Sequence, residues 1–390
     1  MSRRARLRNP GGSFLGANAR LIGAPHSRAR LATPALVLDL DAFEHNLKFM
    51  AEYCREYAKA LRPHAKTHKS ARIAAMQARH GAIGISTATV REAVVMVDAG
   101  VKGVLITSPV VGEAKLDALA RLLDADRDLM IVVDNPSNAQ ALEVKLKSAR
   151  ESARVLIDID VGMHRTGVPT VRHALELARR LAASNRLEFM GVQCYSGRIQ
   201  HVSKYQERAT AYRAELALLE AILDGLAKVG LQARIVSGGG TGTFDIDTKI
   251  GLYTESQAGS YVFMDTQYND VQLRATAATP FRTALFVQSM VLSNNHPAAA
   301  TIDAGFKSFA MDGPIPSVYS GAPRGAQFQF YGDEFGMLRW PSKAKRMELG
   351  AKVEFVTPHC DPTVNLHNYY HCVRGDRLVD IWPVDARGPL

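Results

Sequence analysis

From residue 60 onward, short apolar runs alternate with stretches of helical period. The runs are "LRPHAK" (61–66), "AIGIST" (82–87), "GVLITS" (103–108), "LMIVVDN" (129–135), "VLIDID" (155–160), "FMGVQCY" (189–195), "RIVSGG" (234–239) and "QAGSYVF" (257–263). Between most of them lie amphipathic segments such as "VREAVVMVDAG" and "TVRHALELARRLAAS". In the longest, "YQERATAYRAELALLEAILDGLAKVG", apolar residues recur at i, i+3, i+4 and i+7, the spacing of one buried helix face. Strands separated by helices pair in parallel, because the helix carries the chain back to the starting edge. Eight such units predict a closed (β/α)8 barrel of the TIM type, with an open doubly wound sheet as the competing arrangement.

After Asp265 the texture changes. The runs "FRTALFVQSMVLSNN", "AAATIDAGFKS", "QFQFYGDEFG", "AKVEFVTPHC" and "LVDIWPV" are separated by turn residues and show no strong helical period. They predict a mostly antiparallel β domain. Ahead of the barrel, "ATPALVLDLDAF" (32–43) reads as a strand entering a helix. The expected organisation is a basic N-terminal arm over 1–31, a barrel over 32–265 and a β domain over 266–390.

Charge refines this picture. The chain has 390 residues and a formal charge of +10, yet seven arginines and no acid lie in its first thirty residues, leaving only about +3 for the rest. A near-neutral body argues against a nucleic-acid partner. No run approaches the ~20 apolar residues of a membrane span. The arm carries a twin arginine but no apolar signal segment, and Asn9-Pro10-Gly11-Gly12 would interrupt the helix of an organelle transit peptide. A flexible, untargeted arm on a cytoplasmic protein is expected. The four cysteines (Cys54, Cys194, Cys360, Cys372) form no CxxC pair, which fits a reducing compartment.

In barrels of this kind, chemistry sits at the carboxyl ends of the strands. That rule selects Lys66 after the first strand, 160–165 after the fifth, 195–201 after the sixth, "SGGGTGT" (237–243) after the seventh and "QAGSY" (257–261) at the eighth. "SGGGTGT" has almost no side chains, so it is either a plain loop or a backbone cradle for an anion. In "RPHAKTHKS" (62–70), His64 and His68 have the i, i+4 spacing of helical zinc ligands, but Pro63 and the preceding strand argue against a helix there. Lysine facing a phosphate loop points instead to Schiff-base chemistry. In low-dielectric surroundings, or beside other cations, a lysine loses its proton more readily and attacks aldehydes; Arg62 and the histidines could assist. Lys69 reads as ordinary solvated surface. The cluster "VTPHCDPTVNLH" (356–367) is expected at a strand end, where His359 and Asp361 share one side and Cys360 takes the other. They form either an open divalent-metal pair or a loop histidine hydrogen-bonded to aspartate.

The motifs "TPALVLDLDAFEHNL", "RPHAKTHKS", "DVGMHRTGV", "SGGGTGT", "QAGSYVFMD", "IDAGFKS" and "PHCDPTVNL" occur in that order across 33–366. Together they resemble the D-threonine aldolase and D-serine dehydratase family, fold-type III pyridoxal-phosphate enzymes with an alanine-racemase-like barrel and β domain. The resemblance implies that Lys66 binds pyridoxal 5'-phosphate covalently. Arg165 would contact the cofactor's ring hydroxyl, Tyr195 would line the ring, and Gln257 would lie near the pyridine nitrogen. Backbone at Gly239, Gly240, Thr241, Gly259 and Ser260 would hold the phosphate. His359 and Asp361 would hold a divalent metal, and His201 would be the catalytic base. A homodimer is implied, with a small D-3-hydroxy amino acid as substrate and no nucleic-acid or membrane partner. One departure is "GDEFG" (332–336), with Phe335 where the family pattern has histidine.

Two reactions compete: retro-aldol cleavage to glycine and an aldehyde, and dehydration to an oxoacid and ammonia. The dehydratase branch resembles a His-x-Cys site, whose thiolate selects zinc. Here Asp361 stands two residues after His359, a pair suited to Mn2+ or Mg2+, with Zn2+ the alternative. A neutral His201 could take the proton of a metal-polarised hydroxyl. The aldolase reading is therefore favoured. A non-catalytic pyridoxal-phosphate carrier is a third reading, against which the extra β domain argues. Arg198 is a candidate for a distal substrate carboxylate, or for plain surface.

Overall fold

The computed structural model describes residues 15–147, 152–276, 278–341 and 346–388; Arg3, Arg4, Arg6 and Arg8 of the basic arm lie outside these. The chain opens with β1 (Ala35–Asp39) and the helix Leu40–Glu56, whose N-terminus Asp39 caps by accepting from the amides of Asp41 and Ala42. Eight parallel strands follow: β2 (Ala60–Leu61), β3 (Ile85–Thr87), β4 (Val104–Ile106), β5 (Met130–Val133), β6 (Ala153–Ile159), β7 (Leu187–Cys194), β8 (Ile235–Gly238) and β9 (Glu255–Ser256). Their order is β2-β9-β8-β7-β6-β5-β4-β3. A parallel bridge between His64 and Ser86 closes the ring. The closed barrel read from the periodicity is therefore present. Its last strand is Glu255–Ser256 rather than 257–263, which turns instead into a loop and the short helix Ser260–Val262. The long helical stretch is two helices, Tyr205–Glu215 and Ala217–Lys228.

Alternation along the strands divides the barrel's interior from its shell. Leu105, Met130, Val132 and Leu156 form a small inner cluster. The intervening Ile106, Ile131, Val133, Val155 and Ile157 pack outward against the helices. Above the inner cluster the interior turns polar. Arg62 forms a buried double hydrogen bond with Glu255 (2.8 and 3.0 Å). Arg62 is thus a structural member of the barrel and does not assist Lys66.

The remaining strands are β10 (Leu285–His296), β11 (Ala299–Ile302), β12 (Ser317–Ser320), β13 (Gln327–Phe330), β14 (Gly336–Arg339), β15 (Lys352–Val356), β16 (Tyr369–Arg374) and β17 (Arg377–Pro383). They build a second sheet in the order β13-β14-β11-β10-β1-β16-β17, with β15 paired to β10 and β12 paired to β15. The strand expected ahead of the barrel belongs here: β1 runs antiparallel to β10 and parallel to β16. Phe309, Phe328 and Phe355 meet edge to face beneath the sheet at centroid distances of 5.3 to 5.7 Å.

The arm also differs from expectation. Leu15, Ala19, Leu21 and Leu31 are buried against Val37, Phe286 and Ile381. Arg28 makes two 2.8 Å bonds to the Glu354 carboxylate, and Asn18 bonds both Ala32 and His371. An arginine count reports charge, not the apolar residues interleaved with it; those residues seat this segment. All four cysteines are free and buried. Among the described residues, no helix is long and apolar enough to cross a membrane.

Candidate active site

The carboxyl ends of the barrel strands surround a cavity of about 310 Å3. Lys66, Arg165, Tyr195, Gly239, Gly240, Thr241, Gln257, Gly259 and Ser260 all line it. Lys66 sits on a single turn, Ala65–Thr67, whose N-cap His64 accepts from the Lys66 amide (3.3 Å). His64 is therefore a scaffold residue, and its other ring nitrogen meets Thr107 Oγ1 at 3.0 Å. Lys69 is held elsewhere: its ammonium donates to Glu92 (2.6 Å), and its backbone is left-handed, with φ 48°. His68 is fully buried, with Nδ1 accepting from the Ser70 amide (3.1 Å). The two histidines are not a helical metal pair.

Burial pushes the His68 imidazole down to about 4, and His371 likewise. An unfolded histidine takes up its proton near pH 6.5, but these two do so only near pH 4. Between those values the unfolded chain binds more protons, so stability falls as pH falls, by on the order of 3 kcal/mol per histidine. Unfolding midpoints measured from pH 7 to 4.5 should drop steeply. His68→Gln should flatten the slope; an unchanged slope would contradict the assignment.

The glycine turn must be bare. A Cβ on Gly240 would lie 2.4 Å from Gln200 Oε1, and one on Gly259 would lie 2.7 Å from Thr67 Oγ1. Gly239 adopts φ +70°, above the buried carboxylate of Asp247. Thr243 ties the turn, accepting from the Gly240 amide (3.1 Å) and donating to Asp247 (2.9 Å). This is a cradle of backbone with side chains excluded, which suits a phosphate group. Gln257 donates to Gln193 (3.1 Å) and Ser237 (2.8 Å) at the barrel floor. The Arg165 guanidinium lies 5.8 Å from the centre of the Tyr195 ring. A lysine, a bare cradle and an aromatic wall around one cavity fit pyridoxal phosphate. Gln193, Thr107, Ser108 and Tyr268 also line the cavity and were not singled out from the sequence. Each is a neutral polar or aromatic side chain that local pattern leaves unmarked.

The metal cluster is arranged differently from expectation. The cluster does follow a strand, β15, but His359 is the N-cap of a helix, Cys360–Leu366, where extended chain was expected. Cys360 is fully buried, while Asp361 reaches the barrel and its carboxylate contacts the Lys66 ammonium. Burial alone would favour neutral lysine, but the Asp361 carboxylate outweighs burial and raises the Lys66 pKa. The readily deprotonated lysine expected from the sequence is thus replaced by an ion-paired one. Burial pushes the Asp361 carboxyl up, and Lys66 and His359 more than reverse this, holding it well below the usual range. Among the described residues no three His, Cys, Asp or Glu side chains could together hold a metal. A metal held by His359 and Asp361 alone would keep open positions.

His201 lies just outside the cavity lining, its ring 4.6 Å from that of Tyr268. Burial above all, then His359 and Lys66, lower its pKa to about 4 against the pull of Asp361 and Asp312. It is neutral at pH 7 and able to accept a proton. Arg198 pairs with Glu215 at 2.5 Å and does not line the cavity.

Comparison with known proteins finds two family models along the chain. The model of the alanine racemase N-terminal domain matches residues 38–267, and a serine dehydratase domain matches 284–373. The chain is 37% identical to D-threonine aldolase of Arthrobacter sp. over 92% of its own length and 94% of that protein. It is 34% identical to 3-hydroxy-D-aspartate aldolase of Paracoccus denitrificans (strain Pd 1222), over 92% and 93%. The crystal structure of D-threonine aldolase from Filomicrobium marinum superposes with a TM-score of 0.87 at 37% identity, covering 92% of this chain and 96% of that one.

Proposed function

The chain is a lyase that belongs to the D-threonine aldolase and D-serine dehydratase family, with its alanine-racemase-like barrel, and from that membership we propose that it cleaves D-3-hydroxy amino acids to glycine and an aldehyde. The observation that carries this reading is a neutral His201 beside the His359–Asp361 pair, with no thiol at the second ligand position.

Pyridoxal phosphate, when bound, supplies an electron sink for the bonds at the substrate's Cα. Lys66 would hold it covalently, with the Gly239–Thr241 and Gly259–Ser260 backbone at its phosphate, Arg165 and Tyr195 at its ring and Gln257 at the floor. His359 and Asp361 would hold Mn2+ or Mg2+, which would make the substrate's β-hydroxyl more acidic. His201 Nδ1 is buried without a hydrogen-bond partner. Uncharged over the physiological range, His201 accepts the β-hydroxyl proton as the Cα–Cβ bond breaks. Tyr268 packs against the ring and limits its rotation.

Incubation with D-threonine and D-phenylserine plus Mn2+ should yield glycine and the matching aldehyde over many turnovers. An oxoacid and ammonia without glycine would mean dehydration and overturn the proposal.

We further propose a homodimer in which the partner's β domain shields the barrel mouth from water. In support, Phe306, Tyr331 and Phe335 are exposed around the β13–β14 turn, an apolar surface a monomer would leave wet. Sedimentation at micromolar concentration should give twice the chain mass; an active monomer would refute the pairing.

A further inference from the structure

The segment 308–312 runs beside the helix Cys360–Leu366 and is tied to it at regular intervals. Ser308 O meets His367 Nε2 at 3.0 Å, the Ala310 amide donates to Thr363 Oγ1 at 3.0 Å, and Asp312 Oδ2 meets His359 Nδ1 at 2.8 Å. Every second residue of the segment meets every fourth residue of the helical stretch. The third of these contacts sets Asp312 on His359. Thr363 Oγ1 also donates to His359 O (2.7 Å), so the same hydroxyl locks the histidine backbone. Gly313 lets the segment close down: a Cβ there would lie 2.8 Å from Gln267 Nε2.

We propose that Asp312 is a positioning residue for the metal centre, accepting the His359 Nδ1–H and thereby presenting the Nε2 lone pair to the metal. A carboxylate has only acceptors to offer an imidazole, so the contact assigns the proton to Nδ1. The neighbour also fixes the ring plane and makes the coordinating nitrogen more basic. Losing such a partner typically weakens metal affinity 10- to 100-fold. The inference rests on His359 being a metal ligand.

The test is Mn2+ titration of the holoenzyme followed by electron paramagnetic resonance, with cofactor absorbance and unfolding midpoint as controls. The Asp312 side chain is 55% exposed, so Asp312→Ala should fold. It should raise the Mn2+ Kd 10- to 100-fold with both controls unchanged. Asp312→Asn, whose amide oxygen still accepts from Nδ1, should recover most of the affinity. A Kd for Asp312→Ala within twofold of wild type, while His359→Ala abolishes binding, would overturn the role of Asp312 and leave the metal reading standing. If His359→Ala itself binds Mn2+ like wild type, the metal reading falls and this inference falls with it.

Discussion

Lys66→Ala is expected to abolish both the visible absorbance of bound pyridoxal phosphate and all turnover. Lys66 is the only lysine lining the cavity among the described residues. Lys69, three residues away, is committed to Glu92 and to the Ala386 amide, which its carbonyl accepts at 2.9 Å. Lys69→Ala should therefore retain the absorbance, with lower stability from the unpaired Glu92 carboxylate. Borohydride reduction followed by peptide mapping gives the direct readout. A label on Lys69 in wild-type protein, or an intact adduct in Lys66→Ala, would show that the cavity has been assigned to the wrong lysine.

Asp361→Ala, or removal of metal by a chelator, should abolish cleavage and leave the absorbance intact, because the pair is proposed to touch substrate and not the cofactor. The variant also removes the carboxylate that raises the Lys66 pKa. Lys66 should then deprotonate more easily, so cofactor uptake should be no slower than in wild type. His201→Ala should lower the cleavage rate by ~10²–10⁴, the usual weight of one general base. With its pKa at about 4, His201 stays largely neutral above pH 5, so an activity loss between pH 7 and 6 would have to come from another group. Asp361→Cys should shift metal preference toward zinc. Parallel assays of glycine release and absorbance decide all of these. Loss of cofactor on chelation would refute the separation of the two sites.

The barrel and its cofactor wall were legible because both are local. Strand periodicity marks the carboxyl ends, and a side-chain-free turn marks itself. What escaped depends on contacts between distant parts of the chain. Nothing in "ALVLD" tells a first barrel strand from one that pairs with Gln288 and His371. The apolar residues of the arm are too sparse to announce a cluster completed by Phe286 and Ile381. In "PHCDPTVNLH" a proline at the third helical position was compatible with helix entry, but the preceding strand "KVEFV" made extension look continuous. His359 and Asp361 therefore flank a helix entry, where alternate residues do not share one side as they do on a strand. Their separation from Cys360 comes instead from helix burial, which takes the cysteine inward. The pairing of Lys66 with Asp361 spans 295 residues and has no local signature.

The position of β1 constrains how the chain is made. Both of its neighbours, β10 and β16, begin at residue 285 or later, so the ribosome delivers β1 long before anything can pair with it. The barrel ring, by contrast, needs no residue beyond Ser256. Synthesis therefore favours an order: the barrel closes first, the amino-terminal strand waits, and the second sheet assembles around it near chain release. A chain halted before residue 352 would keep the lysine and the bare cradle but lack His359 and Asp361. Such nascent chains should capture the cofactor before they can turn over any substrate.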